Sequence, residues 1–181
     1  MKRKRASFKG AWYPASAGDC ENSIKKFLKE KGGPQKGRFL GGIVPHAGWF
    51  FSGSIACRVI ASLEQTVDAV IVFGVHMRPD AKPFILSSGA WETPFGDLPV
   101  HEELADHIGR QEKIHKMSPD SFPDENTIEL QLPFVKYFFN DTPVVTAGVP
   151  PSDTAERIGA AACDAAQTLG LTIAVIGSTD M

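Results

Sequence analysis

The sequence predicts an α/β domain with a parallel or mixed sheet flanked by helices. Strand-like and helix-like segments alternate along the 181 residues, which is typical of sheets whose strands are joined by helical crossovers. Ala69 to Phe73 is the clearest strand, because its β-branched run is closed by Gly74. Asp153 to Leu169 is the clearest helix, because Pro150-Pro151 blocks it upstream and Gly170 ends it. A chain of this length forms one domain with a real core.

The segments before Ala69 follow the same alternation. Asp19 to Lys31 has apolar residues at helical spacing and ends at Gly32-Gly33, so it is predicted to be the first helix. Phe39 to Val44 is short and apolar and is predicted to be the first buried strand. Ser52 to Leu63 places its apolar residues on one face, which predicts a helix with Ser52 as its N-cap.

The segments after Gly74 are shorter and more interrupted by proline. Trp91 to Pro99 is predicted to be a loop whose two aromatic residues plug the core edge or cover a site. Thr127 to Phe139 is predicted to be helical, with a kink or a fresh start at Pro133. Asp153 and Glu156 are placed to form a capping box. The remaining predictions are strands at Pro83 to Ser88, Val144 to Ala147 and Leu171 to Ile176, and a helix at His101 to Arg110.

Composition and charge exclude several classes of protein. A net charge of -2 gives no general attraction to nucleic acid or to an anionic membrane. No apolar run is long enough for a bilayer span, and the basic start at Lys2 to Arg5 precedes no apolar signal segment. We therefore expect a cytoplasmic protein. Three distant cysteines without a CxxC pair argue against a disulfide framework or zinc ribbon and predict buried, reduced thiols at Cys20, Cys57 and Cys163.

Two histidines lie just beyond predicted strands. His46 follows the first strand and His76 follows the clearest one, and Asp180 follows a third. In an open α/β sheet, ligands bind outside the carboxyl ends of the strands, so these side chains are expected to meet there. Two imidazoles and one carboxylate are the donor set of mononuclear non-haem iron sites, and they also suit zinc or manganese. The alternative is that each histidine caps a strand end. For His101, His107 and His115 a solvated surface position is favoured.

An acidic block precedes the helical segment that contains Pro133. Glu125 and Asn126 either begin that helix or face the two histidines, as an orienting group or a general base. The strand ending at Ile176 delivers Ser178 to the same sheet edge as Asp180. No GxGxxG, P-loop or Gly-x-Ser-x-Gly spacing is present, which disfavours nucleotide binding and a serine hydrolase.

The sequence motifs taken together resemble the MEMO family, also called AmmeMemoRadiSam system protein B. They occur in the family's order and span nearly the whole chain. The matching blocks are Gly10-Ala11-Trp12-Tyr13-Pro14, Val44-Pro45-His46-Ala47-Gly48-Trp49, Gly74-Val75-His76, Glu125-Asn126-Thr127-Ile128-Glu129 with Gln131-Leu132-Pro133-Phe134, and Ser178-Thr179-Asp180.

The resemblance implies a fold similar to that of class III extradiol dioxygenases and a site for iron or copper, with zinc as a further alternative. By motif, the family's two histidine ligands are His46 and His76, and its pocket tryptophan is Trp12. The family's cysteine ligand lies in a block beyond Asp180, and none of the three cysteines here matches it. Many members have histidine where this chain has Asn126. We therefore expect residues 1–181 to be one domain that lacks a C-terminal part. A radical SAM companion protein is implied by the resemblance alone.

Two functions remain as alternatives. The first is a mononuclear metal-binding protein with a redox or dioxygenase-like role, in which His46 and His76 hold the ion, Asp180 is the weaker candidate for a third ligand, and Glu125 is the one candidate acid or base. The second is a pocket that binds a peptide or an anionic small molecule without turnover. Aromatic residues beside the histidines, Trp12, Trp49 and Phe50, suit that second function. The sequence does not decide whether the protein is an enzyme.

Overall fold

The computed structural model describes residues 1–30, 32–112 and 114–180. In chain order its elements are β1 (Arg3–Lys4), α1 (Ala17–Lys29), β2 (Gly41–Val44), α2 (Trp49–Ala61), β3 (Ala69–Gly74), β4 (Phe84–Leu86), β5 (Ala90–Thr93), β6 (Gly96–Pro99), α3 (Glu102–Gln111), β7 (His115–Met117), α4 (Asn126–Glu129), α5 (Leu132–Phe139), β8 (Val144–Gly148), α6 (Asp153–Leu169) and β9 (Ile173–Ser178). Among the described residues, no helix is long and apolar enough to cross a membrane.

A six-stranded mixed sheet carries the fold, in the order β2-β9-β3-β8-β4-β7. β2, β9, β3 and β8 are mutually parallel, while β4 runs antiparallel to β8. The predicted α/β class with helices against a mixed sheet is therefore confirmed. Because four neighbouring strands are parallel, the loops after β2, β3 and β9 leave from one edge.

The first strand differs from its prediction, because β2 lies at the edge of the sheet and only its last residue, Val44, is buried. The Ile43 side chain is 61% exposed, whereas the four residues Ala69 to Val72 of β3 are fully buried. Strand order decides this difference: β2 pairs with β9 alone, while β3 lies between β9 and β8. An apolar run of this length does not by itself distinguish an edge strand from a central one.

The predicted loop at Trp91 to Pro99 is wrong, since β5 and β6 form an antiparallel hairpin there. The hairpin joins β1 in a second, three-stranded sheet. Gly96 adopts a φ of 104° at the turn, a conformation that glycine allows. Trp91 is fully buried, and its indole N–H donates to the Thr146 hydroxyl at 3.1 Å. Trp91 therefore links the small sheet to β8 of the large one.

Several helix boundaries also differ from the sequence predictions. α2 begins at Trp49 with Gly48 as N-cap, and the hydroxyl of Ser52 donates to the Ala47 carbonyl instead of capping the helix. The segment around Pro133 is two helices, so the fresh start is confirmed and the kink is not. α6 has its predicted bounds, but its N-cap Ser152 makes no side-chain capping bond, so the predicted capping box is absent.

The N-terminal segment is held by a buried carboxylate. Glu129 is 1% exposed and accepts hydrogen bonds from the amides of Ser7 and Phe8 and from the Tyr13 hydroxyl. Burial raises the pKa of Glu129, while these donors oppose the shift. Burial, together with the same carboxylate, raises the pKa of Tyr13 far above its usual value. These bonds attach residues 7–13 to α4.

The cysteines are all free, but one of them is not buried. Cys20 and Cys57 are buried, and burial raises the pKa of each thiol to about 12. Cys163 is exposed on α6, so the prediction of a buried thiol at this position is wrong. It occurs among small apolar residues, but on the solvent side of the helix.

We expect one thiol in the native chain to react with Ellman's reagent. Cys163 is exposed, whereas Cys20 and Cys57 are shielded and hold their protons at neutral pH. Absorbance at the thionitrobenzoate band should rise by about one equivalent per chain before denaturation and by about three after it. A Cys163→Ser variant should show no native reaction, and rapid labelling of a second thiol in that variant would contradict the buried placement.

Candidate metal centre

Three potential ligands meet where β2, β3 and β9 end. His46 and His76 lie two residues beyond β2 and β3, and Asp180 lies two residues beyond β9. The ligand atoms of these three residues all lie within 4.8 Å of one another. His46 Nε2 is 3.1 Å from His76 Nε2 and 3.1 Å from Asp180 Oδ1, while His76 Nε2 is 3.8 Å from Asp180 Oδ2. The structure thus brings the three predicted ligands together.

These distances fit the first coordination shell of a single ion. Two donors about 2.1 Å from one ion and at right angles around it lie about 3.0 Å apart. The two separations from His46 Nε2 match that value. The remaining separation, from His76 to Asp180, involves a carboxylate that is 86% exposed and able to rotate.

The proton on His46 can be placed from its neighbours. The Ser178 hydroxyl lies 2.7 Å from the Thr127 carbonyl, which can only accept, so the serine donates its one proton there. His46 Nδ1 lies 3.2 Å from the same hydroxyl oxygen and must therefore donate to it. The neutral imidazole then presents the lone pair of Nε2 to the site. Burial lowers the pKa of His46, which favours the neutral form.

His76 is aimed by an unusual backbone conformation. The preceding residue, Val75, has a φ of 79°, a left-handed value that a β-branched residue rarely adopts. The side chain of His76 is 58% exposed, and its Nδ1 lies 3.8 Å from Glu125 Oε1. An imidazole that binds an ion through Nε2 carries its proton on Nδ1. That proton would point toward the Glu125 carboxylate.

Glu125 is the N-cap of α4. Its carboxylate accepts from the amides of Thr127 and Ile128, at 3.0 and 3.1 Å, and from the Thr127 hydroxyl at 2.5 Å. Both carboxylate oxygens thus accept hydrogen bonds from the first residues of the helix. This bonding suits a group that orients its neighbours. The side-chain amide of Asn126 donates to the His46 carbonyl at 3.2 Å, so its contact with the site is through the backbone.

The three ligands line a cleft of about 380 Å³. Its walls are mostly apolar side chains from the strand ends and the start of α6. The described lining residues include no lysine or arginine. They include Ile43, Phe73, Val75, Met77, Val149, Pro150 and Ala155. The cleft therefore suits a small apolar or aromatic molecule better than an anion.

The predicted aromatic residues are not at this cleft. Trp49 is 3% exposed, stacks on Phe134 with ring centroids 4.0 Å apart, and donates its indole N–H to the Leu130 carbonyl. Trp12 and Phe50 line a different cleft of about 650 Å³ between α1 and α2. Helix α2 begins at Trp49 and turns that side chain into the core, which the short spacing from His46 does not reveal.

Two contributors to the site were missed by the sequence analysis. Thr127 and Gln131 are each 1% exposed, and the Gln131 amide donates to the Pro45 carbonyl at 3.1 Å beside His46. Both follow Glu125 closely in the sequence, Thr127 within α4 and Gln131 as the N-cap of α5, and this proximity was the available signal. Neither threonine nor glutamine is a common metal ligand, so the spacing of ligand residues in the sequence did not point to them.

Comparisons with known proteins agree with this architecture. The family model described as Memo-like protein matches residues 4–181. A MEMO1 family protein of Pyrobaculum arsenaticum is 31% identical, and the alignment covers 99% of this chain and 68% of that protein. One from Desulfurococcus amylolyticus is 29% identical, with 99% and 69% covered. One from Pyrococcus abyssi is 31% identical, with 93% and 64% covered.

Proposed function

Since the chain belongs to the Memo-like protein family, we propose that it is a mononuclear metal-binding protein in which His46, His76 and Asp180 hold an iron or copper ion. The observation that carries this proposal is the convergence of three ligand atoms within 4.8 Å of one another at the carboxyl edge of the sheet. The lone pair of His46 Nε2, directed into the cluster by Ser178, supports it independently.

Iron is the metal that these donors favour. Two imidazoles and one carboxylate with open positions are the donor set of non-haem iron(II) oxygenases, whereas copper(I) prefers thiolate and thioether ligands. No cysteine belongs to the cluster formed by the described residues. A bound iron ion would supply redox or dioxygenase-like chemistry at this site. Around it the chain's own residues orient the ligands and line an apolar cleft that takes a small organic molecule.

The alternative, a pocket for an anionic small molecule or a peptide, has less support. An anion would be placed against Asp180, and the described lining residues offer no lysine or arginine. The aromatic residues that suggested such a pocket lie elsewhere, Trp49 in the core and Trp12 in the other cleft.

Direct metal titration tests the proposal. Anaerobic titration with Fe²⁺, and with Co²⁺ as a spectroscopic probe, should reach about one ion per chain, with the ligand-field bands of a site containing nitrogen and oxygen donors. Asp180→Asn should weaken binding by about 10-fold or more, because the charged donor is lost. Asp164→Asn, a change of the same kind on α6, should leave binding unchanged. A wild-type chain that takes up neither ion would contradict the proposal.

A further inference from the structure

We propose that Thr127 is the positioning residue of the candidate metal centre, because it sets both imidazoles through two separate hydrogen-bond chains. Its hydroxyl controls the backbone that aims His76, and its carbonyl controls the proton on His46. This inference rests on the proposed function, since it concerns the same site. It assigns a role to a residue that is neither charged nor a ligand.

The first chain runs through the Thr127 hydroxyl. The Val75 amide donates to Thr127 Oγ1 at 2.6 Å, and this hydroxyl donates to Glu125 Oε2 at 2.5 Å. An amide can only donate and a carboxylate can only accept, so both bonds have one direction. The hydroxyl thus fills the gap between a backbone amide and a buried carboxylate.

That bond holds Val75 in its left-handed conformation. A β-branched residue rarely adopts a positive φ, and the conformation persists only where surrounding contacts impose it. The neighbouring Gly74 packs so closely that a Cβ there would collide with the Thr127 hydroxyl. The turn after β3 is therefore shaped against the Thr127 side chain. His76 is the next residue, so the direction of its imidazole depends on this turn.

The second chain runs through the Thr127 carbonyl. This carbonyl accepts the Ser178 hydroxyl proton at 2.7 Å, and the Ser178 oxygen accepts from His46 Nδ1 at 3.2 Å. This bonding favours the tautomer with its proton on Nδ1, which leaves the Nε2 lone pair facing His76 Nε2 and Asp180 Oδ1. Without the carbonyl as acceptor, the serine could donate to Nδ1 and reverse that tautomer.

The position of Thr127 explains why one residue serves both chains. It lies at the second residue of α4, 1% exposed, and its amide is bonded to the Glu125 carboxylate. Its amide, hydroxyl and carbonyl therefore all have partners. The N-cap residue Glu125 holds Thr127 in place. Thr127 in turn bonds to the loop after β3 and to the last residue of β9. Groups that orient metal ligands are typically worth 10–100-fold in metal affinity.

The two chains can be separated by substitution. Thr127→Val keeps the side-chain shape and removes only the hydroxyl, so it breaks the His76 chain and leaves the His46 chain. Ser178→Ala breaks the His46 chain alone. Thr127→Ser retains the hydroxyl and is the matched control. Val75→Gly provides a second route to the same loop, because it removes the resistance to positive φ without touching the hydrogen-bonded carboxylate.

The experiment measures Co²⁺ affinity by optical titration and the imidazole tautomers of the metal-free protein by ¹⁵N NMR at pH 8. We expect Thr127→Val to lower Co²⁺ affinity about 10–100-fold, with His46 still protonated at Nδ1. Thr127→Ser should restore affinity to within about threefold of wild type. Ser178→Ala should lower Co²⁺ affinity. It should also allow the His46 proton to move from Nδ1 to Nε2. Val75→Gly added to Thr127→Val should recover part of the lost affinity, because glycine adopts the positive φ without the hydroxyl bond. The Ser178→Ala variant keeps the test independent of whether Thr127→Val folds.

The outcomes separate the inference from the function on which it rests. If Thr127→Val binds Co²⁺ as tightly as the wild-type protein does, the role of the Thr127 hydroxyl is overturned. If His46 is protonated at Nε2 in the wild-type protein, the role of the Thr127 carbonyl is overturned. The tautomer is measured without any metal. A wild-type chain with the Nδ1-protonated His46 and no Co²⁺ binding would refute the proposed function while supporting the carbonyl chain.

Discussion

Replacing His46 and His76 together by alanine is expected to abolish metal binding. The double variant removes both nitrogen donors and leaves Asp180, whose side chain is 86% exposed. One solvated carboxylate cannot hold a transition-metal ion at micromolar concentrations, since protein sites need about three or more donors. Metal content after equilibration with Fe²⁺ or Co²⁺ and desalting should fall from about one ion per chain to background.

The matched control is His107→Ala with His115→Ala. It also removes two imidazoles, from α3 and β7, and neither residue belongs to the cluster of ligands. Its metal content should equal that of the wild type, and thermal unfolding should show that both double variants are folded. Equal metal content in the two double variants would place the ion elsewhere.

Trp91→Ala is expected to give the largest loss of stability of any single substitution considered. Trp91 is the largest fully buried side chain, its ring packs against Phe122, and its indole N–H is bonded to the Thr146 hydroxyl. Truncating a buried aromatic residue costs about 3–5 kcal/mol, through lost apolar burial and the cavity left behind. The unpaired Thr146 hydroxyl adds to that cost.

Urea denaturation measures this effect, with Trp12→Ala as the control. Trp12 is 42% exposed, so its removal should lower the free energy of unfolding by about 1 kcal/mol or less. Because Trp91 joins the small sheet to the large one, its loss should also allow faster hydrogen exchange in β5 and β6. A loss below that of Trp12→Ala would show that the hairpin is not held through Trp91.

The parts of the fold that could be predicted from the sequence are those with strong local patterns. The β-branched run in β3 and the proline and glycine boundaries of α6 fix these elements almost to the residue. The hairpin of β5 and β6 was missed because Pro94, Gly96 and Pro99 indicate a loop, yet they occupy the turn and a strand end. The edge position of β2 depends on strand order, which no local pattern reports.

The same division holds for the site. Residues just after parallel strands must lie at one sheet edge, so the meeting of His46, His76 and Asp180 followed from topology. The role inferred for Thr127 did not, because it depends on a left-handed Val75 and on hydrogen bonds to residues about 50 positions away. The separation of Trp12 from the histidines also depends on packing, since Trp12 and the histidines line different clefts.

The sheet order has a consequence for how the chain acquires its structure during synthesis. β9 lies between β2 and β3, so β2 has no strand partner until nearly all of the described chain has emerged from the ribosome. The hydrogen bond between His46 and Ser178 cannot form before Ser178 is synthesised, 132 residues after His46. Such non-local pairing favours slow folding, and it makes the candidate metal site one of the last features to form. A metal ion held by these three residues would therefore bind only after β9 is inserted, and it could not nucleate the fold.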